Sequence, residues 1–276
     1  MRFGAITNSW RLQLVDQDLI SLVEQAKSLD SHHVELRQTC LGACETGEDL
    51  DWRPVLPRLQ ELVDTFPDLD FDLAMALPCL TQKVDPMGDQ FQSALRAAKL
   101  VGRSHPHLRL VDPARAESVW EAPGDIPEEA LGMADLAREG ACRGVVISIE
   151  NSGQPIRSMA LLVRQVQSAL SDQESAFFGL CPDPTNQLGR FPGSDPLAEL
   201  DELPLDMIKI IHFKQAREGS PHPSVDTGDL DCAKMVQVLE RKGYQGPAIM
   251  EIPPHPQVFE NLSASFEYLG GLVSRD

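Results

Sequence analysis

Residues 144–151, Gly-Val-Val-Ile-Ser-Ile-Glu-Asn, carry the strongest fold signal in the chain. The β-branched residues Val145, Val146, Ile147 and Ile149 run almost without interruption and stop at Glu150. Such a run is typical of a strand that is buried on both faces, as in a parallel sheet. A carboxylate at the end of the strand lies at the rim of the sheet, and in (β/α)8 barrels that rim supplies the catalytic residues.

Seven further strand-like runs recur at a steady interval, with amphipathic helical segments between them. The eight predicted strands are Phe3–Ile6, His33–Leu36, Phe71–Leu77, Leu108–Val111, Val145–Ile149, Phe177–Leu180, Met207–Phe213 and Pro247–Ile252. Eight strands that alternate with helices predict an α/β fold, a single (β/α)8 TIM barrel. A doubly wound sheet is the main alternative, but it usually has fewer strands and a Gly-rich phosphate turn, which does not follow the first strand here. The 276 residues are close to the roughly 250 of one barrel, so we expect one TIM-barrel domain over residues 1–276.

Charge and composition exclude several function classes. The formal net charge is −18, and no Lys/Arg run is present, which argues against a nucleic-acid partner. The first ten residues have no apolar signal-peptide core, and no apolar run approaches the roughly 18 residues of a membrane span. The six cysteines are scattered without paired motifs, as expected of free thiols in a reducing compartment. These features predict a cytoplasmic protein without a membrane partner.

Polar residues of metal-ligand type stand at four consecutive predicted strand ends. These are Glu150, Asp183, His212 and Glu251, and the successive intervals each match about one βα unit. A lone Glu after a strand is more often a helix cap, and a lone His is more often a core residue. Four in register predict instead that three carboxylates and an imidazole face one another across the barrel mouth. This set, with a charge of about −3, suits one divalent metal, Mn²⁺ first, with Mg²⁺, Co²⁺ or Zn²⁺ as alternatives.

The late strands resemble those of the xylose isomerase-like barrel superfamily. The matching stretches are residues 34–37 (Val-Glu-Leu-Arg), 149–151 (Ile-Glu-Asn), 181–186 (Cys-Pro-Asp-Pro-Thr-Asn), 208–214 (Ile-Lys-Ile-Ile-His-Phe-Lys), 228–231 (Gly-Asp-Leu-Asp) and 243–251 (Gly-Tyr-Gln-Gly-Pro-Ala-Ile-Met-Glu). The resemblance extends over essentially the whole chain and is strongest from about residue 144 onward. It implies that Glu150, Asp183, His212 and Glu251 are the metal ligands. Apurinic endonucleases in this superfamily need further His ligands, which this sequence does not place at the rim.

The sequence departs from the superfamily pattern where sugars are held. Asn186 stands where many members have a His, and Lys214-Gln215 stands where Lys-Asp is common. The residues that we predict to contact substrate are Asn186, Lys214, Arg217, Asn151, Arg37 and Trp10. The alternative for each of these six is that it is an ordinary rim or surface residue. For Trp10 a further alternative is that its side chain is buried.

The resemblance and the rim residues together predict an enzyme that removes a proton next to a carbonyl. A bound cation stabilises an enediolate, and Glu150 and Glu251 act as base and acid on the two faces of one carbon. We therefore expect a metal-dependent isomerase or epimerase of a sugar, keto-sugar or related polyol. One alternative is a lyase on a keto-polyol or C-glycoside, and another is a non-catalytic barrel subunit. Such families commonly form dimers or tetramers, so a homo-oligomer is a further expectation.

Overall fold

Eight parallel strands form the centre of the computed structural model, which describes residues 1–114 and 118–273. The strands are β1 (Arg2–Ile6), β2 (His33–Arg37), β3 (Asp70–Ala76), β4 (His107–Val111), β5 (Val146–Glu150), β6 (Phe178–Cys181), β7 (Ile211–Phe213) and β8 (Pro247–Met250). Each of the eight predicted runs overlaps one of these strands, with most ends differing by one residue, so the predicted strand count and positions are confirmed. The seventh strand is shorter than predicted, because Met207 belongs to a 3₁₀ turn (Leu205–Met207) and Ile208 forms only an isolated bridge.

The strands close into a barrel. Their order in the sheet is β6-β5-β4-β3-β2-β1-β8-β7, and every neighbouring pair is parallel. The remaining gap between β6 and β7 is spanned by a bridge from Leu180 to Ile208 and by two backbone hydrogen bonds. The amide of Lys209 donates to the Leu180 carbonyl at 2.9 Å, and the amide of His212 donates to the Pro182 carbonyl at 3.0 Å. This nearly closed sheet confirms the (β/α)8 TIM barrel.

Helices connect the strands and cover the outside of the barrel. They are α1 (Leu19–Ser28), α2 (Leu56–Thr65), α3 (Asp89–Val101), α4 (Glu128–Leu131), α5 (Met133–Arg143), α6 (Ile156–Ser168), α7 (Asp172–Ser175), α8 (Pro184–Arg190), α9 (Pro196–Glu202), α10 (Cys232–Arg241) and α11 (Val258–Leu272). Two short hairpins lie beyond strand ends, Glu45–Thr46 with Arg53–Pro54 and Ala216–Arg217 with Ser220–Pro221. None of the helices within residues 1–114 and 118–273 is long and apolar enough to cross a membrane.

The two faces of each strand have different chemistry because successive side chains alternate. On β5, Ile147 and Ile149 belong to the main apolar core with the helices, whereas Ser148 and Glu150 lie on the other face, towards the barrel interior. The same alternation on β2 and β4 leaves charged residues inside a barrel whose interior is usually filled by branched apolar residues. A small separate apolar cluster is also buried, and its members are Ile6, Cys181, Ile210 and Ile249.

Candidate metal centre

The four predicted rim residues meet at the C-terminal mouth of the barrel. Glu150 ends β5, Asp183 follows β6, His212 lies in β7 and Glu251 follows β8. One donor atom from each lies within 4.8 Å of the donor atoms of the other three. The first three residues are buried, and the side chain of Glu251 is 15% exposed. The chain therefore brings three carboxylates and one imidazole, drawn from distant parts of the sequence, together at the barrel mouth.

Asp183 is held by the start of α8 and by a neighbouring amide. Its Oδ1 accepts a hydrogen bond from the backbone N–H of Asn186 at 3.0 Å, so it caps the helix. Asn151 accepts from the backbone N–H of Asp183 at 2.6 Å and donates to its carbonyl at 3.0 Å. The buried Asn151 side chain thus positions Asp183, while a contact between Asn151 and substrate stays a prediction. Oδ2 of Asp183 is left facing the centre of the mouth.

Lys214 places its ammonium group among these carboxylates. Its Nζ lies 2.9 Å from Oδ2 of Asp183 and 2.8 Å from Oε2 of Glu251, and it donates to Oδ1 of Asn186 at 3.2 Å. Asn186 in turn donates to Oε1 of Glu150 at 2.7 Å. The sequence predicts both residues at the rim, but it does not show that Lys214 inserts between two of the predicted ligands. The Lys214 ammonium thus lies where the carboxylates of Asp183 and Glu251 stabilise a positive charge.

Arg109, on β4, is a second cation that the sequence analysis missed. Its guanidinium is 1% exposed. Nε and Nη2 donate to the two carboxylate oxygens of Glu35 at 2.7 and 3.1 Å, and Nη1 pairs with Oε2 of Glu150. The signal was available, because an Arg between Leu108 and Leu110 in a buried strand must point to the barrel interior and needs a carboxylate partner there. The local charge is therefore less negative than the −3 expected from the four predicted residues alone.

Glu35 on β2 also orients His212. Oε2 of Glu35 lies 3.1 Å from Nε2 of His212, while Nδ1 of His212 lies 3.0 Å from Oε2 of Glu251. A carboxylate behind a metal-binding imidazole fixes the ring and its tautomer in many metal sites. In this arrangement Nδ1 is the ring nitrogen in contact with Glu251, and Nε2 lies on the side of Glu35.

The two predicted catalytic carboxylates have opposite electrostatic surroundings. Burial raises the pKa of Glu150, and the Arg109 guanidinium only partly offsets that effect. Burial also acts to raise the pKa of Glu251, but Lys214 and His212 outweigh it and hold this pKa well below its usual range. Glu150 is therefore more easily protonated than Glu251, which is more firmly ionised. A pair of carboxylates whose surroundings separate their pKa values in this way is typical of acid–base pairs in active sites.

Three of the predicted substrate contacts remain to be placed, namely Arg37, Trp10 and Arg217. Arg37, at the end of β2, is half-buried and donates to the Gln38 carbonyl at 3.0 Å. Trp10 is 1% exposed and packs on Phe259 with ring centroids 5.4 Å apart, so it is buried beside α11. Arg217 is exposed on the hairpin beyond β7.

Asn8, after β1, is a mouth residue that the sequence analysis did not identify. Its Nδ2 donates to Oε1 of Glu251 at 2.9 Å. Its buried Oδ1 has no hydrogen-bond partner within the described parts of the chain. Sequence offers little signal for it, because a lone Asn after a first strand is common in turns.

Comparisons with known proteins agree with this architecture. Residues 82–269 match the family model described as xylose isomerase-like TIM barrel. Among curated proteins, no sequence matches the chain.

Solved structures match over nearly the whole chain at low sequence identity. A D-allulose 3-epimerase from Methylomonas sp. has a TM-score of 0.70 at 14% identity, over 99% of this chain and 98% of that one. An IOLI protein with a bound zinc atom has a TM-score of 0.66 at 14% identity, over 99% and 96%. A probable 3-DHS dehydratase from Bacillus anthracis has a TM-score of 0.69 at 13% identity, over 100% of both chains. At these identities the likeness concerns the fold.

Proposed function

The chain belongs to the xylose isomerase-like TIM barrel family, and from that premise we propose that it is a divalent-metal-dependent isomerase or epimerase of a sugar, keto-sugar or related polyol. The observation that carries this proposal is the convergence of Glu150, Asp183, His212 and Glu251 within 4.8 Å at the barrel mouth. Substrates of (β/α)8 enzymes are bound and transformed at this end of the barrel.

The donor set fits a divalent cation. Carboxylate oxygens with one imidazole suit Mn²⁺, with Mg²⁺, Co²⁺ and Zn²⁺ as alternatives. The Lys214 ammonium, held by Asp183 and Glu251, supports the fit because it shows a cation stabilised between two of the proposed ligands. Glu35 supplies the carboxylate that would fix His212 for this task.

The chain's own groups account for proton transfer. A bound divalent ion would supply Lewis-acid stabilisation of the substrate oxygens. Glu251, ionised through Lys214 and His212, is the proposed base that takes the proton next to the carbonyl. Glu150, whose pKa is raised by burial, is the proposed acid that returns a proton on the other face. Asn186 orients Oε1 of Glu150 and Asn8 orients Oε1 of Glu251.

The structural neighbours support this reaction class and keep a second one open. Two of them are by name epimerases of D-allulose and L-ribulose, and one of these was solved with D-allulose. Another is named a probable dehydratase. Proton removal next to a carbonyl gives dehydration when a β-hydroxyl can leave, so a lyase on a keto-polyol or C-glycoside is the second candidate. A non-catalytic barrel subunit is the third.

Solvent deuterium exchange separates the three candidates. We propose incubating the protein with Mn²⁺ in D₂O with a panel of keto-sugars that includes D-allulose and D-fructose, and analysing the products by mass spectrometry. An isomerase or epimerase incorporates deuterium without loss of water, whereas a dehydratase yields a product lighter by one water. Glu251→Gln should abolish incorporation, and Glu218→Gln, on the exposed hairpin loop, serves as the matched control. Absence of exchange with every keto-sugar of the panel would contradict the isomerase proposal.

A further inference from the structure

Arg37 is held at the mouth of the barrel with its side chain directed inward. It ends β2, two residues after Glu35, so the two side chains lie on the same face of the strand. Glu35 reaches inward to Arg109, which shows that this face is the barrel interior. The backbone amide of Arg37 donates to Oγ1 of Thr7 at 2.9 Å, and this bond ties the end of β2 to the end of β1.

The guanidinium of Arg37 forms no ion pair with a carboxylate of residues 1–114 and 118–273. Nη1 donates to the neighbouring Gln38 carbonyl at 3.0 Å, and Nε and Nη2 have no hydrogen-bond partner among these residues. Burial lowers the pKa of Arg37 and Arg109 lowers it further, while Glu251 and Glu150 offset these effects only in part. Arg37 thus lies near the proposed metal centre, is partly exposed, and has free donors.

The carboxylates of the mouth are engaged by other cations. The pairs are Glu35 and Glu150 with Arg109, and Asp183 and Glu251 with Lys214. A divalent ion in the proposed centre, with His212 neutral as its ligand, would add two positive charges to those of the three cationic side chains. The positive charges would then exceed the four carboxylates by about one, and Arg37 is the cation that lacks a partner. A loaded mouth therefore favours a substrate with one negative charge.

The wall beside Arg37 offers few hydrogen bonds to the hydroxyl groups of a neutral sugar. In the sheet Arg37 lies beside Ala74 of β3. Two residues further along β3, Ala76 lies beside Val111 of β4, and both are partly exposed. By strand alternation these three apolar side chains face the interior, and they have no donor or acceptor. A substrate that extends from the ligands on β5 to β8 across to β2 would meet methyl groups and one guanidinium.

We propose that the substrate of this site is a sugar acid or related keto acid, and that Arg37 binds its carboxylate while its carbonyl end lies at the metal centre. This inference rests on the proposed function and adds the charge of the substrate to it. A guanidinium can donate in parallel from two nitrogens, a geometry that matches the two oxygens of a carboxylate. Arg37 is thereby a specificity-determining residue, because it distinguishes an acid from a neutral keto-sugar.

A phosphate ester shares this recognition chemistry but fits the charges less well. It carries about −1.5 to −2 at neutral pH, more than a single guanidinium balances. A carboxylate carries one negative charge, so the carboxylic acid is the substrate class that the mouth favours.

D-fructose, D-fructuronate and D-fructose 6-phosphate are the probes, because they differ only in the group at one end of the chain. That group is a hydroxymethyl, a carboxylate or a phosphate ester. Each is titrated calorimetrically into the full chain in the presence of Mn²⁺. We expect D-fructuronate to bind at least about tenfold more tightly than D-fructose, since hydrogen bonds to charged groups are stronger than neutral ones. D-fructose 6-phosphate should bind more weakly than D-fructuronate.

Variants assign the preference to Arg37. Arg37→Met should bring the affinities for D-fructuronate and D-fructose to within about threefold of each other, because no charged hydrogen bond remains. Arg37→Lys should keep part of the preference, since it retains the charge but not the planar pair of donors. The matched control is Arg103→Met, because Arg103 also donates to a backbone carbonyl, that of Pro67 at 2.9 Å, but between α3 and β4, at the other end of the barrel. It should leave all three affinities unchanged.

This proposal and the proposed function fail separately. Deuterium exchange on D-fructose without tighter binding of D-fructuronate would keep the isomerase and overturn the role of Arg37. A preference for D-fructuronate that Arg37→Met removes, in a protein without exchange, would do the reverse. The proposal would also be overturned if Arg37→Met kept the preference, if the phosphate ester bound more tightly than D-fructuronate, or if millimolar D-fructuronate gave no heat.

Discussion

The barrel interior holds two buried networks that differ in how their carboxylates are held. At the mouth, four carboxylates meet two permanent cations and one imidazole, and the residues are Glu35, Glu150, Asp183, Glu251, Arg109, Lys214 and His212. Towards the N-terminal ends of the strands, which we call the floor, Asp72 alone lies between two imidazoles, those of His33 and His107. The mouth therefore holds more carboxylates than permanent cations, whereas the floor holds a single carboxylate between two imidazoles. The two ends of the barrel thus differ in the groups that hold their buried carboxylates.

The networks also differ in what each loses when one member is removed. At the mouth, Arg109 is the single guanidinium that pairs with both Glu35 and Glu150, so its loss leaves two buried carboxylates without a cation. At the floor, Asp72 is held by two separate imidazoles, so the loss of one leaves the carboxylate in contact with the other. We therefore expect the free energy of unfolding to fall more when a charged residue at the mouth is replaced by a neutral one than when a charged residue at the floor is.

The largest expected effect is that of Arg109→Met. Breaking a buried ion pair by removing one partner typically costs about 3–5 kcal/mol. We expect a loss of this size in the free energy of unfolding, measured by urea denaturation of metal-free protein. The control is Arg138→Met, whose exposed pair with Asp135 should contribute less than about 1 kcal/mol. Equal losses in the two variants would contradict the role assigned to Arg109.

A smaller effect is expected at the floor, and it depends on pH. Burial acts to raise the pKa of Asp72, but His33 and His107 outweigh it and hold this pKa below the ordinary value of 3.8. A lowered folded-state pKa gives a stabilisation that is full above pH 3.8 and declines as pH falls below it. Asp72→Asn removes this contribution, so the free energies of unfolding of the two proteins should differ most near neutral pH and converge in acid. If the free energies of unfolding of the wild type and Asp72→Asn changed equally with pH, the role assigned to Asp72 would be contradicted.

The smallest of these effects concerns Lys214, which shares oxygens with the proposed metal. Removing a positive charge from this position favours binding of another cation. We expect Lys214→Met to raise Mn²⁺ affinity about tenfold, a smaller free energy than the Coulomb interaction between two charges a few ångströms apart inside a protein. Calorimetric titration measures it, and Lys234→Met, next to the exposed Asp195, is the control. Weaker Mn²⁺ binding in Lys214→Met would show that the lysine supports the metal instead of competing with it.

The fold and the rim were accessible from sequence because both depend on short, regular patterns. Strand alternation with helices predicted all eight barrel strands, and the spacing of Glu150, Asp183, His212 and Glu251 placed them at consecutive strand ends. Their meeting in space follows from parallel strands in register. The roles of these four residues as metal ligands and of the two Glu as catalysts stay predictions.

The charge partners were not accessible in the same way. Strand alternation indicates that Arg109 faces the barrel interior, but it does not identify the partners, Glu35 and Glu150, which lie 74 and 41 residues away in the sequence. Lys214 was predicted to line the pocket, but its ammonium instead lies between two predicted ligands. The floor network of His33, Asp72 and His107 was missed, because lone polar residues at strand starts carry no recurring spacing.

The most direct test of the metal centre is a Mn²⁺ titration of EDTA-stripped protein that compares Asp183→Asn with Asp195→Asn. Both aspartates cap a helix, α8 and α9 respectively, by accepting from a backbone N–H at 3.0 Å. Because Asn caps helices as well as Asp, both variants should keep their fold. We predict one Mn²⁺ per chain in the wild type and in Asp195→Asn, and none at the same concentration in Asp183→Asn. Unchanged binding in Asp183→Asn, or a wild type that binds no divalent ion, would contradict the metal centre proposed here.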